Sequence, residues 1–182
     1  MNCNYPLLKT IEVKEDIIDF LNKKFDSYIM NDQEQDSNDT CFSRTHEGGF
    51  QTSNLLEWED DEHQNFLNTE ILNLIHEKFG FEKERIEYKW NHMLQYGDGG
   101  SMEIHNHMHN EDFVIFIYLN TCKSSGNTNF YLNHHDEESL KRSKVSVRPQ
   151  KGTGVCFSAL LLHEGEESCE DKRIFVVGFR LV

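Results

Sequence analysis

Three histidines in this chain have the residue type and spacing of metal ligands. His105 and His107 are separated by one residue, and residues i and i+2 of a β-strand point to the same face. His163 follows an apolar run, residues 154–162, that delivers it into a polar turn. Three ligands with open positions suit a catalytic Fe(II) or Zn(II), whereas structural sites are usually closed by four. We therefore predict a metal centre at His105, His107 and His163, with a solvated histidine cluster as the alternative.

A second candidate binding group lies near the C-terminus, where Arg173 opens an alternating run within residues 172–182. If one face of this run points into a barrel, the guanidinium is buried there and needs an anionic partner. No acidic residue shares its strand face, so we expect a ligand carboxylate, held as a bidentate fork. The alternative is a register shifted by one residue, in which Lys172 faces inward instead.

The elements that would position these groups are two helices followed by many short strands. Apolar residues recur at helical spacing in residues 14–30 and 62–80. One short strand is predicted between the helices, and alternating or continuous apolar runs predict the others after them. The predicted strands span residues 48–52, 86–96, 113–120, 128–133, 144–149, 154–163 and 172–182. This order predicts a mostly β fold of the α+β kind, a sandwich or barrel braced by helices on one face.

The length of 182 residues fits one domain. We expect residues 1–84 to supply helical support and a loop, and residues 85–182 to form the catalytic core. Residues 31–48 are rich in polar residues and are predicted to be a loop, with a lid over the site as a further hypothesis. Apolar and aromatic residues at every second position of 86–96 should share one face. Trp58 and Trp90 are expected to be packing residues, and His134 and His135 to lie in a solvated hairpin.

Composition narrows the function classes. A formal net charge of −14 repels phosphate backbones, so we expect no nucleic-acid partner and favour a peptide or small-molecule substrate. Five widely spaced cysteines and no apolar leader favour free thiols in a reducing, cytoplasmic setting. No run approaches eighteen apolar residues, so no membrane span is expected. The oligomeric state is left open.

Five short motifs occur in the order found in one enzyme superfamily. Residues 86–182 resemble the Fe(II)- and 2-oxoglutarate-dependent dioxygenases, most closely the prolyl 4-hydroxylase-like group. That group has a tyrosine and glycine before an HxD motif, a YLN strand, a GGxTxF turn, a PxKGxxxxF stretch and a distal histidine segment. A basic residue follows the distal histidine, and Arg173 stands ten positions after His163 here. The matching segments are residues 94–107, 118–120, 125–130, 149–157 and 161–166.

The resemblance implies a fold and a set of roles. The fold would be a double-stranded β-helix, or jelly roll, braced by the N-terminal helices. His105 and His163 would bind iron, and Arg173 would pair with the C5 carboxylate of 2-oxoglutarate with help from Tyr118 and Tyr96. The cofactors would be Fe(II) and 2-oxoglutarate, with ascorbate as a candidate reductant. The activity would be hydroxylation of a protein, a peptide (prolyl included) or a small molecule.

One position departs from the pattern. The carboxylate ligand of the superfamily falls at His107, as it does in some phage-type oxygenases that carry HxH. The alternatives are a working three-histidine iron site, a shifted triad that recruits Glu111 with His109 or recruits Glu103, and a site without iron chemistry. The rival functions are accordingly a three-histidine dioxygenase that does not use 2-oxoglutarate and a non-catalytic jelly-roll binding module.

Overall fold

The computed structural model describes residues 8–34, 46–107, 110–123, 126–132, 143–168 and 171–182. In these ranges nine strands pair throughout in antiparallel fashion. The strands are β1 (Leu8–Glu12), β2 (His46–Gln51), β3 (Ile86–His105), β4 (Phe113–Tyr118), β5 (Thr128–Tyr131), β6 (Lys144–Val147), β7 (Thr153–Ser158), β8 (Leu162–Ser168) and β9 (Lys172–Leu181). Their hydrogen-bonded order is β1-β7-β4-β9-β3-β8-β5-β6, and β2 pairs with β3 outside this path. The predicted mostly β architecture is confirmed.

Two helical regions pack on one side of the sheet. Helix α1 (Glu15–Glu34) extends the predicted first helix. The second region is continuous in sequence: α2 (Asp61–Phe66), a π-helical segment (Leu67–Ile71) and α3 (Leu72–Phe79). Gly80 ends it in the left-handed region, with φ +78°, which only glycine adopts without strain. Short 3-10 helices span Leu55–Glu57 and Lys83–Arg85.

Two apolar clusters lie on opposite faces of the central strands. The helix-side core joins both helical regions to the sheet, and its fully buried strand residues are Met93, Ile115, Ile117, Cys156, Phe175, Val177 and Phe179. Among the described residues, no member of the cavity-side core lies in a helix. Its buried members are Leu94, Tyr96, Val114, Phe116, Tyr118, Phe130, Val147, Val155, Phe157, Leu161, Ile174 and Val176. Alternation along β4 and β9 sends successive residues to opposite clusters.

Several predicted elements need correction. The predicted loop of residues 31–48 is helical as far as Glu34 and extended from His46, while residues 35–45 lie outside the described ranges, as do His134 and His135. The predicted strand 154–163 is two strands, β7 and β8, separated by a turn at residues 159–161. β1 was not predicted. No helix within the described ranges combines the length and apolar character needed to cross a bilayer.

The face expected to be shared along residues 86–96 is divided by an irregularity. The pairing of β3 with β9 shifts register between Tyr88 and Trp90. Ile86 and Tyr88 consequently pack against the helix-side core, whereas Trp90 packs against the cavity-side core. Such a bulge inserts one residue and turns the following side chains to the other face. This change of face directs His92, Leu94 and Tyr96 toward the cavity.

Candidate active site

The three predicted metal ligands meet at one wall of a cavity of about 650 Å³. His105 is the last residue of β3 and pairs directly with His163 of β8. His107 lies beyond the end of β3, where its backbone N–H donates to the Ala159 carbonyl at 2.9 Å. One nitrogen from each of the three rings lies within 4.8 Å of the others, so the structure brings His105, His107 and His163 together.

Hydrogen bonds fix which nitrogen two of these rings present. His105 Nδ1 lies 2.8 Å from the Glu103 carbonyl, and His163 Nδ1 lies 3.0 Å from the Leu161 carbonyl. Because a carbonyl only accepts, each Nδ1 must carry the hydrogen and donate it. The lone pair is then on Nε2, and fixing it there is how proteins orient a ligand imidazole.

Burial favours the neutral form of His105 and His163. Desolvation lowers the pKa of His105. The pKa of His163, which is 6 % exposed, is lowered further because desolvation adds to repulsion from the other two imidazoles. A neutral imidazole is the form that coordinates a metal. Three imidazoles around one point fit a divalent transition metal such as Fe(II) or Zn(II) and leave coordination positions open toward the cavity.

The prediction that Arg173 faces the interior is wrong, because the register is the other one. In the pairing of β9 with β3, Arg173 lies opposite Gln95 on the helix side. Its guanidinium donates to Asp26 Oδ1 at 2.7 Å and lies 4.7 Å from the centre of the Phe25 ring, so it is occupied on the outer surface. Lys172, opposite Tyr96, faces the cavity instead.

Lys172 is a buried cation without a carboxylate partner among the described residues. Lys172 is 1 % exposed, and its Nζ donates to the Gly126 carbonyl at 2.9 Å. The ammonium also lies 4.5 Å from the centre of the Tyr96 ring. Desolvation lowers the pKa of Lys172 to about 8. A cation this poorly compensated suits an anionic ligand in the cavity.

The two tyrosines predicted to assist lie differently with respect to the cavity. Tyr96 lines the cavity, while Tyr118 lies behind Thr128, whose hydroxyl is 2.6 Å from the Tyr118 hydroxyl. Burial raises the pKa of both tyrosines, so both stay protonated donors. When Tyr118 donates to Thr128 Oγ1, the Thr128 hydrogen remains available to a ligand in the cavity.

Trp90 was expected to be a packing residue, and it also forms the wall of the cavity. Its indole lies flat on Gly178, where an added Cβ would come within 2.3 Å of the ring. The same ring is 5.2 Å from the His107 ring and 5.4 Å from the His92 ring, centre to centre. Trp58, by contrast, packs between helix and sheet as expected, edge-on to Tyr28.

The chain is similar to known proteins in its structure. No protein-family model and no curated protein sequence matches the chain. The viral collagen prolyl hydroxylase of Paramecium Bursaria Chlorella virus-1, solved with 2-oxoglutarate, is 14 % identical with a TM-score of 0.66, covering 100 % of this chain and 99 % of that one. A Trichoplax adhaerens prolyl hydroxylase, solved with a peptide fragment of a hypoxia inducible factor, is 13 % identical with a TM-score of 0.69 over 96 % and 83 %.

A third solved structure widens the range of reactions. The non-heme α-ketoglutarate-dependent epimerase SnoN of nogalamycin biosynthesis is 8 % identical with a TM-score of 0.74, covering 96 % of this chain and 76 % of that one. The chain has the fold of the 2-oxoglutarate- and iron-dependent oxygenases. The predicted jelly roll, braced by N-terminal helices, is thereby confirmed. Sequence identities this low establish the fold only. The reaction of this chain must be argued from its own residues.

On this oxygenase fold, the alternative carboxylates do not join the three histidine nitrogens. Glu103 is exposed, and it is its backbone carbonyl that accepts from His105. Glu111 is buried beside His107, with Oε1 at 3.8 Å from His107 Nδ1. His109 lies outside the described ranges. Among the described residues, the groups close enough to share one ion are His105, His107 and His163.

Proposed function

We propose that this chain is an Fe(II)- and 2-oxoglutarate-dependent oxygenase that hydroxylates a peptide, a protein or a small molecule. The observation that carries the proposal is the cavity itself, which combines a three-histidine cluster with the buried cation Lys172. The fold is the second support, since all three neighbours described above share it. A fold alone hosts many reactions, so the argument rests on the cavity residues.

Lys172 takes the role that the motif order suggested for Arg173. A dicarboxylate such as 2-oxoglutarate needs one end at the metal and a cation for its far carboxylate. Lys172 lines the same cavity as the three histidines, and Thr128, which also lines it, adds a hydroxyl. Pairing with a carboxylate would replace the weak contacts that now compensate the ammonium, the Gly126 carbonyl and the Tyr96 ring. Burial makes this pairing selective for an anion.

The remaining residues bind, orient and exclude water. His105, His107 and His163 would hold the metal through one nitrogen each. Iron with 2-oxoglutarate and dioxygen supplies an oxidant strong enough to oxygenate a C–H bond. Phe116, Phe157 and other apolar side chains keep this part of the cavity dry, which strengthens the charge pairing at Lys172. Trp90 forms the wall beside His107 against which a substrate would lie.

The size of the cavity and one neighbouring structure support the proposed substrate class. A neighbouring hydroxylase was solved with a peptide bound, which makes a peptide, prolyl peptides included, a natural first candidate. The cavity is about 650 Å³, larger than 2-oxoglutarate alone requires and open enough to admit a side chain or a small molecule. A screen of peptides and small molecules for succinate release then identifies the substrate.

Anaerobic titration with Fe(II) and then 2-oxoglutarate tests the proposal. The wild type should develop the visible absorption band of 2-oxoglutarate chelated to Fe(II). In Lys172→Met the far carboxylate loses its buried partner, a loss of about 3–5 kcal/mol, so 2-oxoglutarate affinity should fall roughly 100-fold or more. Met fills the space without a charge, and replacing a buried charge by an apolar side chain commonly preserves folding.

Arg173→Met is the matched control, since it removes the neighbouring cation from the outer face. It should bind Fe(II) and 2-oxoglutarate as the wild type does. An unchanged band in Lys172→Met, or a band lost in Arg173→Met, would contradict the assignment. Tight Fe(II) binding with no band in the wild type would instead support a three-histidine dioxygenase without 2-oxoglutarate. That second candidate is favoured by one observation, the absence of a carboxylate among the three described groups.

A further inference from the structure

The carboxylate of Glu111 lies directly behind His107. The Glu111 side chain is 3 % exposed, and its Oε1 is 3.8 Å from His107 Nδ1. The other oxygen, Oε2, accepts the Asn110 backbone N–H at 2.9 Å, which holds the carboxylate in place. A separation of 3.8 Å is longer than a hydrogen bond, and a small rotation of either side chain closes it. Contacts of this kind commonly tighten when a site is filled.

The three histidines thus share one arrangement and differ in one respect. Each Nδ1 faces an oxygen atom: the Glu103 carbonyl for His105, the Leu161 carbonyl for His163 and the Glu111 carboxylate for His107. Two of these acceptors are neutral and the third is an anion. A carboxylate behind a ligand imidazole fixes its orientation and makes it a stronger electron donor to the metal.

We propose that Glu111 is a positioning residue of the metal site. Its carboxylate accepts the Nδ1 hydrogen of His107 and so directs Nε2 to the metal. Through that hydrogen bond it also places a negative charge near the metal, where other members of the superfamily have a carboxylate ligand. The inference rests on the proposed function, because it concerns the same metal. It also gives a physical reason why a histidine can stand at position 107.

The backbone holds the two residues at this separation. Ala159, in the turn between β7 and β8, accepts from the His107 N–H at 2.9 Å and donates to the Asp112 carbonyl at 3.0 Å. Asp112 is tied to β9 in turn, since its N–H donates to the Phe179 carbonyl at 3.0 Å and its carboxylate accepts the Leu181 N–H at 2.9 Å. The segment that carries Glu111 is therefore anchored at both ends, as a site that must keep its geometry requires.

Anaerobic Fe(II) affinity and the Fe(III)/Fe(II) midpoint potential of the protein test this role. Glu111→Gln keeps the size and an oxygen acceptor and removes only the charge. We expect about 10- to 100-fold weaker Fe(II) binding and a higher midpoint potential, because the charge behind His107 favours Fe(III). Glu103→Gln is the matched control, since its carboxylate is exposed and its backbone acceptor remains. It should change the Fe(II) affinity by less than about 3-fold and leave the midpoint potential unchanged.

A second background separates this role from a purely structural one. In His107→Asp a carboxylate ligand is supplied directly and the Nδ1 partner is gone. Glu111→Gln in that background should cost no Fe(II) affinity or improve it, because it removes a like charge beside the new carboxylate. An equal loss in both backgrounds would show that Glu111 only supports the fold and would overturn the proposal. So would an unchanged affinity of Glu111→Gln in the otherwise wild-type protein.

The result also separates this inference from the proposed function. If the wild type binds Fe(II) and gives the 2-oxoglutarate band while Glu111→Gln matches it, only the role of Glu111 fails. If the wild type binds no Fe(II), the proposed function fails and this inference fails with it. Thermal unfolding of the metal-free variants, measured alongside, confirms that each is folded before its affinity is compared.

Discussion

Strands β3 and β9 separate two interiors of different character. On one face, Phe175 and Val177 belong to the helix-side core, which α1, α2 and α3 fill with apolar side chains. On the other, Ile174 and Val176 border a cavity of about 650 Å³ that also holds Lys172 and the histidine cluster. The packed face supplies stability by burying apolar surface, whereas the hollow face holds a buried ammonium and three imidazoles around an open cavity. Neighbouring residues of one strand should therefore affect different properties.

The largest effect should come from the packed face. Phe175→Ala removes a fully buried ring from the helix-side core and leaves a void that tightly packed neighbours cannot fill. We expect a loss of about 3–5 kcal/mol in the free energy of unfolding, measured by urea denaturation. Fe(II) affinity of the folded protein should be nearly unchanged.

Val176→Ala is the comparison on the next residue of the same strand. Its side chain borders the open cavity, so its removal should cost less stability than Phe175→Ala. Equal losses from the two variants would break the distinction between a packed and a hollow face.

A smaller effect should arise at Trp90, which packs against the cavity-side core. In Gly178→Ala the new methyl group would lie within 2.3–2.6 Å of the indole, so the ring must move away. Overpacking of this kind costs about 1–3 kcal/mol of stability. Because Trp90 is 5.2 Å from the His107 ring, Fe(II) affinity and tryptophan fluorescence should change with it.

Gly80→Ala is the matched glycine control. Gly80 has φ +78° and nothing within 4 Å of an added Cβ, so alanine there costs about 1–2 kcal/mol of backbone strain. The stability losses should be similar and only Gly178→Ala should weaken Fe(II) binding. A loss of Fe(II) binding in both variants would mean that affinity simply follows stability.

The next effect concerns a polar group inside the packed face. His63 is fully buried between α2 and the sheet, and its Nε2 lies 2.6 Å from Asn91 Oδ1. Desolvation lowers the pKa of His63 below its ordinary value of 6.5, while Asn91 and Asp60 act in the opposite direction and Lys24 adds slightly to the lowering. The unfolded chain then binds a proton at higher pH than the folded one. The contribution of neutral His63 to the free energy of unfolding is therefore fully present above pH 6.5 and is lost as the pH decreases below that value.

His63→Gln isolates this contribution from the other buried histidines. The difference in unfolding free energy between wild type and variant should shrink as pH falls, by at most about 1.4 kcal/mol per pH unit. Urea denaturation of metal-free protein from pH 7.5 downward, in steps of about half a unit, measures it. Parallel pH profiles for the two proteins would show that His63 is not the titrating group.

Sequence pattern was sufficient for both helical regions, for most of the strands and for the histidine cluster. Periodicity identified both helices, and the spacing of His105 and His107 with the apolar approach to His163 identified the cluster, because those signals are local. The boundary between β7 and β8 was missed since Leu160, Leu161 and Leu162 continue the apolar pattern through a turn. β1 was missed because its residues are mostly exposed and carry little alternation.

Which residues of β9 face the cavity could not be predicted from the sequence, for a physical reason. Residues at even positions include Ile174 and Val176, and those at odd positions include Phe175 and Val177, so both faces of the strand are apolar. Only the pairing of Tyr96 with Lys172, set by the bulge after Tyr88, decides which basic residue faces the cavity. The approach of Glu111 to His107 was equally hidden, since it depends on a turn far away in sequence.

The smallest effect should come from the basic residue that faces outward. Arg173 pairs with Asp26 at 2.7 Å, but the two side chains are 28 % and 64 % exposed, so water and salt screen the attraction. Arg173→Met keeps an apolar stem over Phe25 and should cost at most about 1 kcal/mol of stability. A double-mutant cycle with Asp26→Asn in urea denaturation would measure the pair alone. A coupling well above that value would mean that the outer face stores more energy in this ion pair than exposed pairs do. The helix-side surface would then be electrostatically organised as well as packed, and the contrast between the two faces would narrow.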